Sequence, residues 1–298
     1  MPSFAQRFFE LAKKRSPLCL GLDPSRDLIR DWGFKDDADS MRRFCGVVMD
    51  AAADRVAVVK PQSGFFERLG PSGLSELARA LGLIREQGAL SIIDCKRGDV
   101  HGTMEGYAEA MLGADSGFNG DAMTVTAYLG FGALRPVFDR AVQHNASVFV
   151  IVRSSNPEGR ALQDARLADG RTVADALADD ITAVNNSLGH EIGPIGALIG
   201  ATTDKVAAAT LSRLPHSLIL APGVGAQGAT LDDIKSNFGS AISRTLPSVS
   251  RSILRQGPSL AALREAIDRY REHAWRAFGS IAILPKQNFP TSQSAYAT

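Results

Sequence analysis

Two stretches of the sequence gather charged side chains at the ends of apolar runs. IIDCKRGDVHGT holds Asp94, Lys96 and Asp99, and VVKPQSGFFERLG holds Lys60. Asp94 and Lys96 stand two apart, so on an extended segment they share a face while Cys95 turns the other way. Lys60, at the end of a neighbouring run, can come within contact range of both. The result is an array of alternating sign: Lys60, Asp94, Lys96 and, beyond them, Asp99. Such an array can stabilise charge and move protons at a bound molecule. A structural ion-pair network is the competing reading. The spacing D-x-K-x-x-D alone carries little, since with each charged type at ~6% a chain of this length matches it by chance roughly one time in fifteen. Its weight comes from standing at a strand end beside a second strand-end lysine.

A second set of residues suits an anion. In APGVGAQGAT, Gly223, Gly225 and Gly228 let backbone N–H groups approach a phosphate, and Gln227 adds a side-chain donor. In SRSIL, Arg251 offers a forked, permanent cation. Asp23 follows the first apolar run, in GLDPS. Ser154 and Ser155, in VRSSNPEG, either hydrogen-bond a ligand or form a turn before Pro157. Pro222 shapes the glycine loop, His101 reads as an ordinary loop histidine, and Cys95 as a core thiol. No two of the five histidines have zinc-ligand spacing, and no metal is expected.

Eight apolar runs must position these residues: 18–22, 55–60, 89–94, 121–127, 147–152, 195–200, 217–221 and 246–250. The first seven are continuously apolar, as in strands covered on both faces of a parallel sheet. The eighth, with Pro247 and two serines, is the weakest. Helical patterns lie between them: 72–88 places Leu74, Leu77, Leu81 and Ile84 on one stripe, and 260–278 is similar. Eight strand–helix units in 298 residues predict an α/β fold, a (β/α)8 TIM barrel. Barrel enzymes place their sites at the C-terminal strand ends, often with phosphate at the loops after strands seven and eight. An open doubly wound sheet would want a glycine fingerprint after the first strand, and GLDPSRD is not one. The expected domain is a single catalytic barrel over 1–284. It has an insertion at about 156–189, after strand five, and a loosely ordered tail at 285–298.

Composition bounds the rest. Lys and Arg total 33 against 32 for Asp and Glu, so there is no general field for nucleic acid or a membrane surface. No stretch approaches the ~20 apolar residues of a membrane span. Three cysteines are too few for a disulfide framework and suggest a reducing, cytoplasmic setting. Phe4, Phe8 and Leu11 recur at helical spacing and predict an N-terminal helix docked on the body.

In this order, from GLDPS to SRSIL, the residues resemble the orotidine 5′-phosphate decarboxylase family. KPQSGFFERLG and DCKRGDVHGT look closest to its longer subfamily. The resemblance covers most of the chain. It implies conversion of orotidine 5′-phosphate to UMP and CO2, the last step of de novo UMP synthesis, by a homodimer without cofactor. Position by position, Lys60, Asp94 and Lys96 match the catalytic array, with Lys96 as proton donor. Asp99 matches an acid supplied to the partner subunit's site. Asp23 and Thr103 match ribose contacts, Thr103 across the interface. Ser155 matches the pyrimidine contact, and Gln227 and Arg251 the phosphate ligands; Pro222 joins the substrate-binding set. One departure is visible: shorter members carry Gly before the phosphate-binding Arg, where this chain has Ser250. The phosphate contact is therefore carried over to the Arg251 side chain rather than to the backbone before it.

Two alternatives stand beside this reading. Metal-dependent sugar-phosphate lyases look similar in the third-strand motif but are expected to place a metal-binding carboxylate where this chain has Lys60. A non-catalytic nucleotide-binding barrel would keep Gln227 and Arg251 without needing Lys60, Asp94, Lys96 and Asp99 together.

Overall fold

The computed structural model describes residues 1–202 and 206–278. Its strands are β1 (Cys19–Leu22), β2 (Val58–Pro61), β3 (Leu90–Arg97), β4 (Ala122–Val125), β5 (Ser147–Arg153), β6 (Ile195–Ile199), β7 (Ile219–Val224) and β8 (Thr245–Val249). All eight pair in parallel and in chain order, and β1 closes on β8 through Cys19–Ser248 and Leu20–Val249. Each predicted run overlaps one strand, though five strands extend a residue or more beyond their runs, and the (β/α)8 expectation is met. β1, β2, β4, β6 and β8 are buried at every position, which is why the runs lack a polar alternation.

Two apolar cores follow from that burial. The outer one, between sheet and helices, takes Leu20, Leu22, Val59 and Ile93. The inner one takes Val58, Leu90, Ile92, Ala122, Phe149, Leu198, Leu220 and Leu246. The helix Phe4–Lys14, capped reciprocally by Ser3 and Gln6, closes the N-terminal mouth. Phe4, Phe8 and Phe9 enter the inner core, and the Phe4 ring meets Phe149 edge-on at 6.0 Å. Docking was legible in the spacing of these aromatics; their service as a plug was not.

The period of two then fixes where charge stands. On β2, Val58 and Lys60 share the inward face; on β3, Leu90, Ile92 and Asp94 do. Apolar residues fill the lower layers, and the inward positions turn polar only at the C-terminal mouth. The site therefore sits at the end opposite the plug.

The segment 156–189, expected as an insertion, resolves into two parts. A 3-10 turn (Pro157–Gly159) and a short helix (Arg160–Gln163) form the extension proper. The helix Val173–Ser187, N-capped by Thr172, packs on β5 and β6 and is the crossover between them. The helix Gly70–Glu86 buries Leu77, Leu81 and Ile84 as expected, but Leu74 near its start is exposed. The expected tail 285–298 lies outside the described residues. Among those residues no helix is long and apolar enough to cross a membrane.

Candidate active site

Asp94 is the hub of the barrel mouth. Its Oδ2 accepts from Lys60 Nζ at 2.8 Å, and its Oδ1 accepts from Lys96 Nζ at 2.6 Å and from Thr124 Oγ1 at 2.9 Å. Lys60 and Asp94 are almost fully buried, while the Lys96 side chain is 44% exposed to the cavity and solvent. The β2–β3 register places Asp94 opposite Gln62 rather than Lys60. Lys60 therefore reaches diagonally up one row to Asp94. Gln62 Nε2 donates to the Asp94 carbonyl at 3.1 Å, fixing that stagger.

Lys96 is held by an irregular backbone. The β3–β4 register shifts between Ile93 and Arg97, and Lys96 takes a φ of +46°, a region costly for a side-chain-bearing residue. Its N–H donates to Thr124 Oγ1 at 2.9 Å. Thr124 thus accepts from the Lys96 backbone and donates to the Asp94 carboxylate, tying the bulge to the ion pair. Cys95 packs toward the outer core, as the alternation required.

The electrostatics follow from burial and partners. Burial disfavours the Asp94 carboxylate, but the Lys60 and Lys96 ammoniums outweigh it and hold that carboxyl well below the usual range. Burial also opposes the Lys60 ammonium; Asp94 and Asp23 overcome it and raise Lys60 above its ordinary value. Lys60 and Asp94 are therefore both ionised at neutral pH. Burial pushes the Cys19 thiol up to about 12 and the Cys95 thiol up to about 11, so neither supplies a thiolate there.

A cavity of about 250 Å3 opens above Asp94. It brings together Asp23, Lys60, Asp94, Lys96, Ser155, Pro222, Gln227 and Arg251, all expected from the sequence. Gly223, Gly225 and Gly228 all have positive φ, the freedom the glycine loop was read to need. A Cβ on Gly223 would stand 2.7 Å from Gln227 Oε1. Arg251 is exposed to the cavity, and among the described residues no carboxylate pairs with it. Ser154 is clamped by Gln163: its N–H donates to Gln163 Oε1 at 3.1 Å, and its Oγ accepts from Gln163 Nε2 at 2.8 Å. The extension after β5 thereby holds the Ser154–Ser155 turn at the rim.

Asp99 and Thr103 do not line this cavity. Asp99 follows β3 and accepts from the Val100 N–H at 2.8 Å; Thr103 is exposed on the helix His101–Met111. Sequence reasoning missed Gln62 and Thr124. Thr124 left a usable trace, a hydroxyl at an inward position of an otherwise apolar strand.

A closed parallel barrel with a Lys–Asp–Lys array at its C-terminal mouth defines a (β/α)8-barrel enzyme. The model of the orotidine 5′-phosphate decarboxylase / HUMPS family matches residues 16–266, and the chain belongs to that family. It is 49% identical over 280 residues to the orotidine 5′-phosphate decarboxylase of Myxococcus xanthus, covering 94% of this chain and 97% of that one. It is 44% identical over 275 residues to that of Salinispora tropica, covering 90% and 96%. Among solved structures, a crystal structure from Streptomyces avermitilis assigned to the same enzyme superposes with a TM-score of 0.89 at 41% identity. It is matched over 94% of this chain and 97% of that one. The orotidine 5′-phosphate decarboxylase structure from Leishmania donovani has a TM-score of 0.77 at 27% identity, over 93% and 99%.

Proposed function

We infer that this chain converts orotidine 5′-phosphate to UMP and CO2, the closing step of UMP synthesis. The observation that carries the reading is the buried Lys60–Asp94 pair with the partly exposed Lys96 beside it, beneath a cavity rimmed by Arg251 and Gln227. The substrate loses CO2 from an sp2 ring carbon with no adjacent electron sink, so negative charge develops in the ring plane. The partly exposed Lys96 ammonium faces the cavity and stabilises that charge. At 4 Å and an effective dielectric of 20 the attraction is worth about 4 kcal/mol, roughly three decades in rate, to the extent that it strengthens in the transition state. Lys96 then gives a proton to the carbon that lost CO2. Asp94 keeps Lys60 charged and aims both lysines.

Remote groups orient the ring. Arg251 and Gln227 take the phosphate, Asp23 a ribose hydroxyl, and Ser155 the pyrimidine, with Pro222 against the ligand. Binding energy spent at the phosphate thereby positions the reacting carbon.

The working unit is a homodimer. Val100, Tyr128 and Leu129 are exposed apolar residues on the side that carries Asp99 and Thr103, and Val100 and Leu129 line one groove there. A two-fold partner seated on this face covers them and carries Asp99 and Thr103 toward its own site. We assign residues 1–284 to one catalytic domain. The three unbridged thiols suit the cytoplasm.

The lysine at position 60 decides against a metal-dependent lyase. The groups gathered around Asp94 are ammoniums and a hydroxyl, a donor set that repels a cation. The test is loss of the orotate ultraviolet absorbance with purified enzyme and excess EDTA. Formation of UMP and CO2 at an undiminished rate supports the reading. UMP binding without turnover would leave a non-catalytic barrel, and EDTA-sensitive turnover would point to a metal enzyme.

A further inference from the structure

We propose that Ser250 is a positioning residue that fixes the Asp23 carboxylate for one hydroxyl of the ligand's ribose. The proposal rests on the assignment of Asp23 as a sugar contact. Asp23 follows β1 and Ser250 follows β8, the two strands that close the barrel. Ser250 Oγ donates to Asp23 Oδ2 across that seam. The other oxygen, Asp23 Oδ1, is buried without a hydrogen-bond partner, in a residue that lines the cavity. A buried carboxylate oxygen left unpaired is costly unless a ligand donor meets it. One half of the carboxylate is thus pinned by the protein, and the other is free for a hydroxyl donor.

Two further features make Ser250 suited to the task. Its carbonyl accepts from the Ile253 and Leu254 N–H groups at 2.9 and 3.0 Å, so its backbone is anchored by the helix Arg251–Leu254. Room for its side chain exists because residue 21 is glycine: a Cβ there would stand 2.6 Å from Ser250 Cβ and 3.4 Å from Asp23 Oδ1. Ser250 also immediately precedes Arg251. Its contact to Asp23 therefore joins the loop that carries Arg251 to the one that carries Asp23.

The test compares binding of UMP and 2′,3′-dideoxy-UMP by calorimetry in wild type, Ser250→Ala, Ser250→Gly and Asp23→Asn. Ser250→Ala and Ser250→Gly both lack the hydroxyl and should weaken UMP about tenfold. They should leave dideoxy-UMP within about twofold of wild type. The substrate KM should rise by the same factor with kcat little changed, because the contact is made equally in ground and transition states. Equal weakening of both nucleotides, or of neither, overturns the positioning role. Asp23→Asn with undiminished preference for UMP over dideoxy-UMP overturns instead the assignment of Asp23 to the sugar.

Discussion

Lys60 Nζ lies 2.8 Å from Asp94 Oδ2, and the two side chains are only 6% and 5% exposed. Withdrawing two charges this far from water costs several kcal/mol each, offset only by their mutual attraction and by the Lys96 and Thr124 contacts. Asp94→Ala strips Lys60 of its counter-ion and should lower unfolding free energy by about 3–5 kcal/mol in urea titrations. The double change Lys60→Met with Asp94→Leu should recover most of that stability and none of the activity. A single Asp94→Ala as stable as wild type would show that the pair is not closed off from solvent.

The same pair sets a pH signature. The Asp94 carboxyl is depressed below its ordinary value of 3.8, so its stabilisation is present above that value and fades as pH falls through the depressed one. The Lys60 ammonium is raised above 10.5, so its contribution is complete below that value and fades as pH climbs through the raised one. The stability gap between wild type and Asp94→Ala should therefore narrow as pH falls below about 4, where the wild-type carboxylate takes up its proton. A gap unchanged between about pH 5 and 2 would mean that the Asp94 carboxyl is not held down by its partners.

Arg251 has no carboxylate partner among the described residues, which leaves its guanidinium free for phosphate. Forked hydrogen bonds to phosphate are charge-assisted, at about 1.5–3 kcal/mol each. Arg251→Ala should lower kcat/KM for orotidine 5′-phosphate by about 100-fold or more. Turnover of orotidine, which lacks the phosphate, should be the same in variant and wild type. Equal losses on both substrates would place Arg251 elsewhere in the mechanism.

Asp99 lies outside the cavity of its own subunit, and this gives a mixing test. A Lys96→Ala chain and an Asp99→Ala chain should each be nearly inactive alone. Refolded together in equal amounts, half the dimers are mixed, and each mixed dimer has one site with both native groups. About a quarter of wild-type activity should return. No recovery above the sum of the separate variants would confine Asp99 to its own subunit.

The legible and illegible parts of the molecule separate on physical grounds. Seven strands could be read because both faces of the sheet are covered, leaving unbroken apolar runs; the eighth, broken by Pro247 and serines, was read from its place in the series. Lys60, Asp94 and Lys96 could be read because charge directly after such a run must stand at a barrel mouth. The contact between Lys60 and Asp94 depends on a one-row stagger that no local pattern encodes. The left-handed backbone of Lys96 was equally hidden, since the Thr124 hydroxyl that accepts from its N–H stands on the next strand. Within 156–189, the Thr172 cap on the Asp175 N–H is a helix-start signal that the insertion reading passed over, and it separates the crossover helix from the true extension. Gln163 was unreadable as the clamp on Ser154, because a nine-residue return in a loop has no periodic signature.

The Lys96 ammonium stabilises and then protonates the ring carbon. The direct measurement of that role is single-turnover conversion of orotidine 5′-phosphate by Lys96→Ala, with UMP affinity measured on the same preparation. The expected rate is at least about three decades below wild type, with UMP binding held within a few-fold. Turnover near the wild-type rate would contradict it, whatever the fate of the other residues in the array.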